Sequence, residues 1–373
     1  MTRPRLFLVI AVLSLGLAGG RVSAEEGAGP YLAGRVASLQ SDYAAAADYF
    51  TRALLVDPTD VSIMENALLA QIGTGNFDKA LTLSKGLNDA GQKSSLADLV
   101  VLASLAKQGQ FEAALAELDN GRSSGVLIDG LYRAWAKLGS GQMSEAATAF
   151  DAVAKTKGLS GFAFYHKALA LASVGDFEGA DAIFSGKANG PIRATRRSII
   201  AHAEVLSQLE RNKDAVEMID KIFGPDLDAK LSAMRADLVA GKTLPFTMIN
   251  SPVDGMAEAF YTVAAALSGD SSPDNASSPT DILMFARAAI YLRPDFDEAI
   301  LLAASILEDQ GQHDLAIASY HLVAPTSAAY ATAELGRELP DLVRRLHLHT
   351  LCVVARGDVL GALAQLLDRP QRE

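Results

Sequence analysis

The sequence predicts an all-α chain of stacked helix pairs, and three observations carry that reading. First, one turn-plus-helix motif recurs at a nearly constant step: the alanine at Ala46 is matched by Ala80, Ala114, Ala146, Ala180 and Ala215, at intervals of 34, 34, 32, 34 and 35 residues. Second, half of the 373 residues are apolar but only 6% are aromatic. The core must therefore be built from Ala, Leu and other aliphatics, which favours helix–helix packing over sheets. Third, the glycines fall between helical stretches at the same spacing, where a left-handed residue ends a helix at little cost.

Taken in order, Met1 to Ala24 reads as an export signal. Arg3 and Arg5 form a positive start, Leu6 to Ala18 is an uncharged, largely apolar run, and Val22-Ser23-Ala24 offers the small residues that precede cleavage. The apolar run is shorter than the ~20 residues of a stable membrane-spanning helix, so cleavage after Ala24 is expected rather than anchoring. Gly20 stands where a bacterial lipoprotein would need cysteine. Removing this segment takes away three arginines and no acids, so a formal charge of −11 becomes 30 − 44 = −14. Such acidity disfavours nucleic acid and anionic lipid as partners. Cys352 is the only cysteine and sits in an apolar run, which fits a buried small hydrophobe. An exported chain with no possible internal disulfide suits the bacterial periplasm.

Next comes the repeat array over 25–223. In Ser41 to Pro58, Ala46, Phe50 and Ala53 share one helical face, and Pro58 stops the helix. The later turns read Gly75-Asn-Phe, Gly109-Gln-Phe, Gly141-Gln-Met and Gly175-Asp-Phe; the sixth carries Glu210 in place of glycine. The aromatic or Met residue is expected to pack between the two helices of its pair. Upstream helices are expected over Met64–Ile72, Asp98–Lys107, Leu131–Leu138 and Tyr165–Val174. Residues 224–254 break the phase with Gly224-Pro225, Leu244-Pro245 and Ser251-Pro252, leaving room for one helix over Asp228–Ala240. Over 255–373 the phasing returns. Helices are expected over Gly255–Leu267 and Ile282–Leu292 around a Ser/Pro-rich insertion (Ser268–Thr280), then over Asp297–Gln310 and His313–Val323. A weaker last pair is expected over Leu342–Arg356 and Val359–Leu367.

These features resemble the tetratricopeptide repeat, a helix–turn–helix unit of 34 residues, in six units over residues 30–223. Most units lack that family's early tryptophan and many its final proline. The resemblance implies about eight to nine repeats stacked into a right-handed superhelix, an α-solenoid, whose first helices line a concave groove. Carried onto this chain, the groove takes in Tyr31, Arg35, Glu65, Leu69, Leu99, Leu131, Trp135, Phe162, Tyr165 and Leu169. The Lys/Asn/Arg carboxylate clamp of the chaperone-binding branch is absent, so the implied ligand is a protein or peptide held by apolar contacts. Trp135, Tyr165 and Phe162 each admit two readings, groove contact or packing between first helices.

Other sites are weaker. Arg193, Arg196 and Arg197 form a cluster that suits local ion pairs better than an anion site. His347 and His349 lie two apart on a helix and so face apart, while His166, His202, His313 and His321 are scattered; no metal site is expected. Asn275-Ala-Ser, the one sequon, has the frequency of a chance match. Gly-x-Ser-x-Gly, the P-loop and His-Glu-x-x-His are all missing, and the repeat already explains the glycines, so neither catalysis nor a cofactor is expected. The expected function is a non-enzymatic scaffold or adaptor in the bacterial envelope. The alternatives are a membrane-anchored accessory of an envelope assembly, secretion or polysaccharide-export machine, and a polymer- or carbohydrate-binding protein that stacks sugars on its aromatics.

Overall fold

The computed structural model describes residues 22–190, 192, 194–269 and 278–338, with side chains from residue 27 onward. The apolar run of the export segment, Arg193, Asn275, most of the insertion, His347, His349, Cys352 and the last expected pair lie outside these residues. Among the described residues every regular element is a helix, and consecutive helices pack as pairs. No described helix is long and apolar enough to cross a membrane.

The chain forms two compact units. The described part of unit 1 holds α1 (Val22–Leu39), α2 (Tyr43–Val56), α3 (Val61–Gly73), α4 (Phe77–Asp89) and the first ten residues of α5 (Ser95–Lys107). The starts of α2, α3 and α4 are each fixed by a short polar side chain that satisfies an orphan amide: Asp42 accepts from Ala45, Asp60 from Ile63 and Asn76 from Lys79. Its core is alanine-rich, with Ala46, Phe50 and Ala53 of α2 fully buried against Ala37, Ile63, Ala67 and Ala70. The shared face read from the sequence is thus the packed face.

Unit 2 continues with α6 (Phe111–Asp119), α7 (Val126–Gly139), α8 (Met143–Ala154), α9 (Ser160–Ser173), α10 (Phe177–Phe184), α11 (Arg196–Gln208), α12 (Asn212–Phe223) and α13 (Ala229–Val239). It is completed by α14 (Pro252–Gly269), α15 (Pro279–Leu292), α16 (Asp297–Asp309) and α17 (His313–Tyr320), followed by a helical stretch over 330–338. Every helix expected within the described residues is present, displaced at its ends by a few residues. The phase break lies inside unit 2, where α13 occupies the expected place and residues 240–251 lead to α14.

The turns show what the repeat demands. Gly75, Gly109, Gly141, Gly175 and Gly311 all adopt positive φ between 68° and 87°. At the two equivalent turns without glycine, Ser41 (φ 55°) and Glu210 (φ 59°) take the same left-handed conformation, against the preference of a residue bearing Cβ. Two of the turn aromatics reach further than their own pair. Tyr43 lies over Gly73 at the end of α3, and Phe111 over Gly139 at the end of α7. Each aromatic therefore reaches the first helix of the next pair, where a missing Cβ makes room for the ring. A side chain at either glycine would collide with that ring.

Candidate binding faces and cavity

Among the described residues of unit 1 the first-helix face is open on α1 and α3, whereas Leu99 of α5, also expected in the groove, is buried. On α1, Leu32, Arg35, Val36 and Leu39 recur at i, i+3, i+4 and i+7 and are all exposed, with Leu39 at 82%. On α3, Ser62, Glu65, Asn66 and Leu69 form the matching half-exposed to exposed row. Arg35 Nη1 donates to Asn66 Oδ1 at 3.4 Å, and Gln92 Nε2 donates to Glu65 Oε1 at 3.3 Å. The first bond joins the two rows into one surface that includes Arg35, Glu65 and Leu69, and the second ties Glu65 to the loop after α4. Tyr31 is placed differently: its ring packs 6.3 Å from that of Phe50, against the core. The sequence reading missed Leu32, Val36 and Leu39, although their helical spacing is a signal. An apolar row on α1 beyond the one facing Phe50 has no partner inside an isolated pair.

Unit 2 corrects the groove assignment there. Leu131, Trp135 and Leu169 are fully buried, and Tyr165 is 9% exposed. The cause is α14, which returns from beyond the phase break to cover α7 and α9. Gly255 of α14 lies so close to the Trp135 ring that a Cβ there would overlap it. Trp135 also meets Phe150 edge-on at 5.7 Å. In unit 2 the face that would line a groove is thus a core. Only Phe162 of that group stays half exposed. Local periodicity could not reveal this, because α14 is supplied from about a hundred residues downstream.

Polar groups at the α9/α14 contact are arranged in a definite order. The Trp135 indole can only donate, and its Nε1 lies 3.2 Å from His166 Nδ1, so that nitrogen is the acceptor. The imidazole proton is therefore on Nε2 and is donated to Thr262 Oγ1 at 3.2 Å. Burial pushes the His166 pKa down to about 3, aided by the Arg197 charge, so the ring stays neutral. Beside it, Glu258 is almost fully buried and accepts from Tyr165 Oη at 2.8 Å, Arg197 Nε at 2.9 Å and Arg197 Nη2 at 2.5 Å. Arg197 also pairs with Glu298 at 2.9 Å and lies over the Phe296 ring at 4.5 Å. Arg196 pairs with Asp228 at 2.8 Å. The two described arginines of the cluster thus form ion pairs, as their composition suggested, but Arg197 does so in the interior. A second, partly buried group joins His202 Nε2 and Arg211 Nη1 to Asp181, both at 2.8 Å.

These side chains border a cavity of about 440 Å³, lined by Phe162, Tyr165, Thr195, Arg196, Arg197, Glu258, Tyr261 and Thr262, with small residues between them. The described residues contain no group of three His, Cys, Asp or Glu arranged to hold a metal ion.

No family model matches the chain, and no curated protein matches it. Among solved structures, a chain in the structure of Naa15/Naa10 bound to HypK-THB aligns at 14% identity and a TM-score of 0.33. The alignment covers 84% of this chain and 62% of that one. The P58(IPK) TPR domain aligns at 13% identity and a TM-score of 0.24, covering 86% of this chain and 99% of that one. With superpositions this loose, the repeat architecture rests on the helix pairs themselves.

Proposed function

We propose that the protein is a non-enzymatic scaffold that receives a protein partner on the first-helix face of unit 1, in the bacterial cell envelope. The observation that carries this reading is the joined surface of Leu32, Arg35, Val36, Leu39, Glu65 and Leu69. It sets exposed aliphatic side chains beside a few polar ones, the make-up of a recognition surface rather than of ordinary solvated helix. Unit 2 supplies a precedent within the chain, since its own first-helix face receives α14, which meets it through Gly255 against Trp135, Glu258 at Tyr165 and Thr262 at His166. A partner helix with apolar residues at i, i+3, i+4 and i+7 suits the unit 1 face. The export segment and the acidic balance support a periplasmic location.

The test is site-specific photocrosslinking in the source cells. A crosslinker at Leu39 or Leu69 should capture one discrete partner, and a crosslinker at the exposed Lys85 on α4 should not. Val36→Glu with Leu69→Glu should abolish the Leu39 adduct while leaving the helical content intact. Equal capture from both faces, or an adduct that survives the double substitution, rejects the assignment. N-terminal sequencing of the exported protein checks the location: a start at Glu25 supports cleavage, and a start at Met1 favours the membrane-held accessory.

A further inference from the structure

The 440 Å³ cavity of unit 2 has a chemistry of its own. Its size falls in the range of small-molecule sites. Its charges are already committed: Arg197 to Glu258 and Glu298, and Arg196 to Asp228. A charged ligand would have to break one of these pairs, so a neutral one is favoured. What the cavity still offers is hydroxyl donors and an aromatic face. Because Thr262 Oγ1 accepts the His166 proton, its own hydrogen is left to donate, and no second bond engages it among the described residues. Tyr261 likewise makes no hydrogen bond through its hydroxyl among the described residues. Burial, the largest influence on that hydroxyl, pushes its pKa up to about 12 and keeps it a neutral donor. The Phe162 ring is half exposed at the wall and stacks on no other aromatic among the described residues. Donors set around an aromatic plane, with no uncommitted charge, match a ligand that is rich in oxygen acceptors and has an apolar ring face.

We propose that this cavity binds a neutral saccharide of one or two rings, stacked on Phe162 and hydrogen-bonded by Thr262 and Tyr261. This inference is independent of the partner assigned to unit 1, and the variants below leave that face untouched.

Binding also has a built-in reporter. Trp135 is the only tryptophan, and it is connected to the cavity through His166 and Thr262. An acceptor placed on the Thr262 hydroxyl polarises that chain, so ligand entry should shift indole emission. The experiment titrates the full-length exported protein with maltose, cellobiose and N,N′-diacetylchitobiose into the millimolar range. Tryptophan emission and saturation-transfer NMR on the sugar protons are followed together, with tetra-alanine as the peptide control. At least one disaccharide should saturate both signals. Phe162→Ala, at a half-exposed position that the fold tolerates, should weaken binding about tenfold or more, the loss of roughly 1.4 kcal/mol of stacking. Thr262→Val should weaken it while Thr262→Ser preserves it, which separates the hydroxyl from any effect on folding. The proposal is overturned if none of the three sugars gives a saturable signal, if tetra-alanine gives the stronger one, or if sugar binding is indifferent to Phe162→Ala.

Discussion

Glu210 occupies a conformation that L-residues avoid, and it does so because the repeat requires a left-handed residue wherever a first helix hands over to a second. The sequence shows the lost glycine, but not whether the turn changes its geometry or holds it. It holds it, at a cost of about 1 kcal/mol. Glu210→Gly should therefore raise stability by about 0.5–1 kcal/mol in urea unfolding, even though glycine adds entropy to the unfolded chain. Gly255 presents the reverse case. Within a helix it costs roughly 1 kcal/mol relative to alanine, and it is kept because the Trp135 ring lies where Cβ would be. Gly255→Ala should lower stability by about 1–3 kcal/mol through overpacking, instead of showing the usual gain in helix propensity. Histidine protonation gives a third expectation. His166 and His202 are both held neutral, burial being the main cause in each. An unfolded histidine takes up a proton near pH 6.5, whereas folded His166 refuses it until about pH 3. Stability should thus be complete above pH 6.5 and fall as the pH drops toward 3. His166→Gln, which can both accept from Trp135 and donate to Thr262, should remove one proton from that dependence in unfolding measured across pH.

At the level of elements, the sequence is a good guide to helices and a poor one to their partners. The 34-residue step located the pairs because it records local geometry: a cap, a periodic face and a left-handed stop. The same periodicity gives each first helix an apolar face, and it is silent about what covers that face. In unit 1 the face around Arg35, Glu65 and Leu69 remains open. In unit 2 α14 buries Leu131, Trp135 and Leu169, so residues from the same repeat position serve as surface in one unit and as core in the other. The buried Glu258–Arg197 pair shows how closely α14 is fitted to α11. Glu258→Ala leaves the Arg197 charge with Glu298 alone and Tyr165 without an acceptor, and it should cost about 3–5 kcal/mol. The loss should be visible as a lower urea midpoint.

Across the whole molecule, architecture and general chemistry were legible in the sequence: helical pairs, acidity, and the absence of familiar catalytic motifs. The cavity was not legible, because its wall combines Phe162 and Tyr165 of α9, Arg196 and Arg197 of α11, and Glu258, Tyr261 and Thr262 of α14. Nothing in local spacing announces that those stretches meet. The return of α14 also bears on how the protein comes apart. A repeat array held only by neighbouring contacts can fray one pair at a time. In unit 2 that route is blocked, since His166 is tied to Thr262 across 96 positions and Tyr165 to Glu258 across 93. Closing so long a loop slows folding, and once it is closed, losing any part of it loosens the rest. Amide hydrogen exchange should accordingly find a graded set of opening energies in α1 to α4, but a single shared value for the buried amides of α7, α9 and α14. The tie makes unit 2 behave as one cooperative block inside a chain whose repeats would otherwise open one at a time.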